Sequence, residues 1–140
     1  RAQIKAIYAG ECGIAIVNHY YYGKLINSSN SEERKWAKSV NIIIPNQAEN
    51  DRGAHINISG GGIAAYSKNR EEAESFLEFL ISKDAQKLYA TINYEYPVRS
   101  DIDLPNILTS WGKFKEDNLP IETLADSYLE AQMIIDQVGW

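Results

Sequence analysis

Three adjacent tyrosines follow a stretch that has the pattern of a buried strand. Residues 14–17 are continuously apolar, the pattern stops at Asn18, and Tyr20, Tyr21 and Tyr22 follow. A phenol in water loses its proton only at a pKa of about 10, but the phenolate it leaves is a hard oxygen donor. Hard oxygen donors grouped at the end of a strand favour a trivalent, oxygen-preferring cation such as Fe(III).

Two neighbouring tyrosines can reach one ion only where the backbone leaves the strand conformation. In a strand their side chains point to opposite faces, whereas in the first turn of a helix they lie about 100° apart and both can lean over the carboxyl end of the strand. Open α/β sheets bind ligands in that crevice. The positive end of such a helix favours phenolate and can also hold a small anion, and bound Fe(III) would ionise both phenols.

Other interpretations of this cluster remain open. The tyrosines are also suited to the edge of a core, or to a platform on which a sugar or a base stacks. His19 could complete a metal site, but a histidine adjacent to two converging tyrosines is expected to point away from them. His55 lies in an alternating segment and is expected to be structural.

The remainder of the chain interleaves helical patterns with short apolar runs, which predicts an α/β fold. A helix is expected to end near Gly10, and the last helix is expected to bury its apolar face. The predicted helices are 1–9, a short one from Ser31, 70–81, 84–89, 108–115 and 122–137, and the predicted strands are 14–17, 40–44, 54–58, 63–66 and 94–98.

Composition excludes several classes of function. The 140 residues are enough for one domain with a core. The net charge of −5 argues against a nucleic-acid partner, and no apolar run approaches the length of a membrane span. The motifs contain no catalytic arrangement, so the protein is predicted not to be an enzyme. Cys12 has no partner for an internal disulfide and is expected to be a small buried residue.

Two further features concern the organisation of the chain. The first residues, from Arg1, have the pattern of the middle of an amphipathic helix and no signal peptide precedes them, which predicts a piece of a longer protein. The run Ser59-Gly60-Gly61-Gly62 lacks the Lys-Ser/Thr that follows in a phosphate-binding loop. It is better explained as flexible backbone of the kind that an interlobe hinge needs.

Several segments together resemble the periplasmic ferric-iron-binding proteins of bacterial ABC transporters. Residues 10–21 resemble the strand that leads into the family's Tyr-Tyr iron motif, and residues 55–63 are similar to its hinge-crossing segment. Residues 73–98, with Phe79-Leu80-Ile81-Ser82 and Asn93-Tyr94-Glu95-Tyr96-Pro97-Val98, resemble the helices and the strand that come after it.

The resemblance implies a periplasmic-binding-protein-like fold of type II, in which this chain is the C-terminal part of a two-lobe Venus-flytrap architecture. Residues 1–57 would belong to the second lobe and carry the Tyr-Tyr motif, 58–98 would cross the hinge and return to the first lobe, and 99–140 would be a C-terminal helical segment. The first residue would lie inside the second lobe. The N-terminal half, with further iron ligands, would be missing.

The same resemblance implies a site and partners. Tyr20 and Tyr21 would bind Fe(III), Asn18 could contact a synergistic anion such as carbonate, and Tyr22 is not assigned to iron. The protein would be periplasmic and would deliver iron to an ABC-type permease, and the piece without its other half could self-associate. The alternative is a solute-binding protein of the same superfamily for another small ligand, namely a polyamine, thiamine or an oxyanion.

Overall fold

A computed structural model describes residues 1–139 of the chain, and helices dominate it. Within the described residues, no helix is both long enough and apolar enough to cross a membrane. The elements in chain order are α1 (Ala2–Tyr8), α2 (His19–Ile26), α3 (Ser31–Lys38), α4 (Arg70–Leu80), α5 (Lys83–Leu88), a π-helical turn (Tyr89–Asn93), α6 (Asn106–Ser110), a 3-10 turn (Ile121–Leu124) and α7 (Tyr128–Val138).

The chain divides into two compact units. One contains Arg1–Ile43 together with Ile58–Lys113, and the other contains Ile44–Asn57 together with the chain from Phe114 onward. All three adjacent tyrosines belong to the first unit. The assignment of 1–57, 58–98 and 99–140 to the lobes of a cleft protein remains a prediction.

A small core in the first unit joins the first three helices. Ile4 of α1, Leu25 of α2 and Ala37 of α3 are buried against one another. The small side chain of Ala37 lets α2 and α3 approach closely, and Leu25 fills the space between them. Partly buried apolar residues pack around this cluster: Val17, Tyr22, Ile26, Trp36 and Val40.

The ends of the helices follow their sequence signals closely. Gly10 has a φ of +77°, and the amides of Gly10 and Glu11 donate to the carbonyls of Ile7 and Ala6. This pair of bonds is the Schellman arrangement, so the predicted left-handed end of α1 is confirmed. Asn30 caps α3, as its side chain accepts a bond of 2.9 Å from the amide of Glu32. Ser82 caps α5 in the same way, as its hydroxyl accepts from the amide of Ala85, whereas Asn69 makes no side-chain cap bond to α4.

The strands of the predicted α/β pattern do not form ladders within residues 1–139, where helices and irregular segments account for the chain. Ile14 is 84% exposed and Ile43 is 82% exposed, although Val17 and Val40 in the same two runs pack partly against the core. A strand needs a neighbouring strand to pair with, and within residues 1–139 these apolar runs have none. The helical part of the α/β prediction is confirmed, and the paired strands are wrong for the described residues.

Backbone pairing in the second unit occurs at Ala54. It forms an isolated parallel bridge with Glu116, in which Ala54 accepts from the amide of Asp117 at 2.8 Å. Gly53, with a φ of +99°, permits this approach, because a Cβ there would lie 2.5 Å from the Glu116 backbone. Arg52 adds an ion pair to Asp117 at 2.7 Å.

Two sequence-based expectations about burial are wrong. Cys12 is exposed, because residues 11–14 lie at the surface without a strand to cover them. The apolar face expected in the last helix is not buried, since its members are exposed in the described chain. These exposed residues are Leu124, Leu129, Met133, Ile134 and Val138.

The Leu25 cluster predicts a specific loss of stability. Replacing Leu25 with Ala should lower the free energy of unfolding by about 2–5 kcal/mol, because it leaves a cavity between α2 and α3. Urea unfolding followed by Trp36 emission measures it, since Trp36 packs against the cluster. The matched control is Leu129→Ala, where the side chain is 76% exposed and the change should stay within about 0.5 kcal/mol. Equal losses for the two variants would contradict this assignment of the core.

Candidate functional site

The helix α2 begins at the point where the tyrosines occur. Asn18 is extended, with φ −70° and ψ 132°, and the helix starts at His19. The Tyr21 amide donates to the Asn18 carbonyl at 3.1 Å and closes the first turn. Tyr20 and Tyr21 are therefore the second and third helical residues. The expected transition into a helix is present here, although the segment before it is not a paired strand.

The side chains of Tyr20 and Tyr21 lie together. Their ring centroids are 4.5 Å apart at an interplanar angle of 49°. The pKa of the Tyr21 phenol is raised above its ordinary value, first because it is hydrogen-bonded to Tyr20 and then because the two phenols repel each other once charged. The two rings therefore lie side by side at the start of α2, which brings two phenols to one place.

Two further side chains surround the hydroxyl and the ring of Tyr20. The Asn18 amide Nδ2 donates to the Tyr20 hydroxyl at 3.1 Å, and it makes no cap bond to α2. The Lys24 ammonium lies 5.5 Å from the centroid of the Tyr20 ring. The Tyr20 side chain thus has a hydrogen-bond donor at its hydroxyl and a cation near its ring.

His19 is directed to a different part of the first unit. Its Nε2 lies 2.8 Å from the Tyr94 carbonyl, and its ring centroid is 5.3 Å from Tyr96 and 5.4 Å from Trp111. Burial lowers the pKa of His19 below its ordinary value, so the ring is neutral near pH 7. Since a carbonyl only accepts, Nε2 carries the proton. His19 is thus directed mainly toward Tyr94, Tyr96 and Trp111, while the edge of its ring also meets the Tyr20 ring with centroids 6.0 Å apart. That His19 is not a metal ligand stays a prediction.

Gly23 and Tyr94 form a contact that the sequence pattern did not indicate. Gly23 is buried in α2, and a Cβ there would lie 2.7–2.8 Å from the Cβ, Cγ and Cδ2 atoms of Tyr94. Tyr94 itself has a left-handed backbone, with φ 60° and ψ 34°, and it ends the π-helical turn. A glycine inside a helical pattern is the available signal, because such a glycine usually has a packing reason.

The other residues singled out in the sequence lie elsewhere. Tyr22 packs on the core of the first unit and meets the Trp111 ring edge-on at 6.1 Å. That Tyr22 does not bind iron stays a prediction. It also lines an open cavity of about 390 Å³ with Trp111 and Asn41. His55 is exposed in the second unit. The glycine run from Gly60 is exposed, and its role as a hinge remains a prediction.

The chemical capacity of the tyrosine pair follows from its hydroxyls. Two adjacent phenols resist losing both protons, because the first phenolate repels the second. A trivalent cation bound to both oxygens removes that repulsion and replaces the protons. Within residues 1–139, no three His, Cys, Asp or Glu side chains are grouped so that they could hold a metal ion.

Comparison with known proteins identifies the family. Residues 1–87 match the family of bacterial extracellular solute-binding proteins. The chain belongs to this family. Membership in a class of solute-binding proteins also confirms that the protein is not an enzyme.

The similar proteins are longer than this chain. Iron uptake protein A1 of Synechocystis sp. is 38% identical over 139 residues, which are 99% of this chain and 38% of that protein. The chain thus spans about two fifths of the length of such relatives.

Solved structures of related proteins share the fold of the chain. The ferric binding protein from Campylobacter jejuni has a TM-score of 0.91 at 41% identity, covering 99% of this chain and 43% of that one. The Trichodesmium protein IdiA (FutA), solved in complex with iron and citrate ligands, has a TM-score of 0.90 at 40% identity with the same coverage. The backbone described above is therefore that of the corresponding part of these proteins.

The close contact at Gly23 gives a second prediction. In an unconstrained helix Gly→Ala is stabilising by about 1 kcal/mol, but Gly23→Ala should instead destabilise the full-length protein by about 1–3 kcal/mol because the new methyl displaces Tyr94. Gly13→Ala is the control, since a Cβ at Gly13 meets nothing within 4 Å. Urea unfolding curves of the two variants test the contact. A Gly23→Ala protein as stable as the Gly13→Ala protein would show that α2 does not rest on Tyr94.

Proposed function

We propose that the protein binds Fe(III) through the phenolates of Tyr20 and Tyr21. The observation that carries the proposal is the packing of the two tyrosine rings against each other at the start of α2, with their centroids 4.5 Å apart. Phenolates are hard donors that suit Fe(III) better than softer metals. Lys24 near the Tyr20 ring and Asn18 at the Tyr20 hydroxyl place a cation and a hydrogen-bond donor beside the same phenol.

The names of similar proteins support iron as the solute. The Synechocystis relative is an iron uptake protein, and the C. jejuni and Trichodesmium structures are a ferric binding protein and a complex with iron. Those names describe the relatives. Iron is proposed as the solute of this chain because its tyrosine pair supplies oxygen donors that suit the same ion.

A small anion would complete the coordination of the metal. Asn18 lies beside the Tyr20 hydroxyl, and its side chain leaves the first amides of α2 without a cap. Such amides and the positive end of the helix attract anions, so carbonate or a citrate carboxylate fits here. The Trichodesmium protein carries citrate with its iron, which supports an anion of this class.

The wider role is transport in the periplasm. The proposed architecture is the two-lobe type II fold, with the tyrosines facing the cleft and residues 58–98 crossing the hinge. Closure of the lobes would hold the ion, and an ABC-type permease in the inner membrane would receive it. Family membership and the fold shared with ferric binding proteins support this role.

Substitution of the tyrosines tests the proposal. In the full-length protein, Tyr20→Phe and Tyr21→Phe should each weaken Fe(III) binding by about 100-fold or more, since each removes a donor. The double variant should lose the visible phenolate-to-iron charge-transfer band that appears when ferric citrate is added. Absorbance titration against citrate as a competitor measures both effects.

Tyr22→Phe is the matched control for these variants. It removes an adjacent hydroxyl that belongs to a ring packed toward Trp111, so the band and the affinity should stay within about twofold of the unsubstituted protein. A double Tyr20→Phe, Tyr21→Phe protein that kept its band would sink the assignment. The superfamily alternative of another small ligand would then gain support.

A further inference from the structure

We propose that His19 is the positioning residue of the tyrosine pair, which it aims by fixing the rotation of α2 against the Tyr94 turn. The inference rests on the proposed function, because it concerns how the same two phenols are directed at the ion. His19 would not touch the metal. Its action would pass through the helix and through the ring of Tyr20.

The first step of the argument is the bond to Tyr94. The Nε2–H of His19 donates to the Tyr94 carbonyl at 2.8 Å, across 75 positions of sequence. Tyr94 has a left-handed backbone at the end of the π-helical turn, and that conformation fixes the direction of its carbonyl. A bond to a fixed acceptor from the first residue of a helix restrains the rotation of that helix.

The second step is that Gly23 repeats the contact one turn later. Residues four apart share a face of a helix, so His19 and Gly23 form one stripe of α2. Both meet the same partner, His19 at the backbone of Tyr94 and Gly23 at its side chain. Two contacts along one stripe restrain the rotation of α2 about its axis more tightly than either contact alone would.

The third step concerns the remaining sectors of α2. Leu25 and Tyr22 turn toward the core of the first unit, about 60° apart on the helix. The sector that neither the core nor Tyr94 occupies carries Tyr20 and Tyr21, with Lys24 over the Tyr20 ring. The direction of the phenols is therefore set by what holds the other two sectors.

The required precision explains why a positioning residue is needed. A tyrosine hydroxyl lies roughly 8 Å from a helix axis, so a rotation of about 10° moves it by about 1.4 Å. Metal–ligand distances in a well-formed site deviate by only about 0.2 Å from their usual values. The ring of His19 also meets the Tyr20 ring edge-on at 6.0 Å, which restrains the same phenol directly. A small rotation of α2 would therefore weaken Fe(III) binding more than it would lower the stability of the protein.

Two substitutions of His19 separate its bond from its ring. His19→Phe keeps an aromatic ring against Tyr96 and Trp111 but removes the donor to Tyr94. His19→Gln loses the ring but keeps an amide donor with similar reach. In the full-length protein, His19→Phe should bind Fe(III) at least about tenfold more weakly, with a shifted charge-transfer band. His19→Gln should recover the affinity to within about threefold of the unsubstituted protein.

Ile102→Ala separates positioning from general loss of stability. Ile102 is buried in the same unit, and its truncation should lower the melting temperature at least as much as His19→Phe does. Its charge-transfer band should nevertheless keep its wavelength. His19→Phe with unchanged affinity and band would overturn the inference, and so would a band shift of equal size in Ile102→Ala.

An iron-free measurement separates this inference from the proposed function. The ring NMR signals of Tyr20 and Tyr21, assigned from the Tyr→Phe variants, should move in His19→Phe and stay in place in Ile102→Ala. Unmoved signals would overturn the positioning role whether or not iron binds. If the unsubstituted protein itself gave no charge-transfer band, the proposed function would fail, while the ring signals would still decide what His19 does.

Discussion

The contact of α2 with Tyr94 is the constraint on which the candidate site depends. Tyr94 offers its carbonyl to His19 and its side chain to Gly23, and these two residues share one stripe of the helix. Successive helical residues turn by about 100°, so a helix held on that stripe and by Leu25 in the core has one sector left. Tyr20 and Tyr21 occupy that sector. The candidate site is thus the sector of α2 that faces neither the core nor Tyr94. The packing of the other two sectors sets the direction in which Tyr20 and Tyr21 point.

The sequence was sufficient for those parts of the site that depend on local geometry. An apolar run that ends at Asn18 marks the beginning of a helix, and helical geometry brings two adjacent phenols together. One further step of about 100° carries Tyr22 to the core, so the same geometry explains why three tyrosines make a pair and a separate residue. The capping signals at Gly10 and Ser82 were likewise local, and both are realised.

Features that depend on distant residues could not be predicted. Nothing near Gly23 in the sequence indicates that Tyr94, 71 positions later, packs on it, because such a contact depends on the path of the intervening chain. The pattern of the apolar runs predicts paired strands, and the apolar face of the last helix predicts a buried core. Apolar patterning predicts that a surface should be covered, but it does not identify the partner. Within residues 1–139 Ile14 and Met133 remain exposed.

Asn18 illustrates how a functional site can depart from a local rule. Asn30 and Asn18 both precede helices, with φ and ψ of −75° and 119° in the first and −70° and 132° in the second. Asn30 caps its helix, whereas the Asn18 amide binds the Tyr20 hydroxyl instead. Since the two backbones are so alike, the competing side-chain partner accounts for the difference. A missing cap costs about 0.5–2 kcal/mol, and such departures are expected where a chain serves a ligand as well as its own fold. The missing side-chain cap of α2 and the bond to the Tyr20 hydroxyl are therefore two consequences of the single partner that the Asn18 side chain takes.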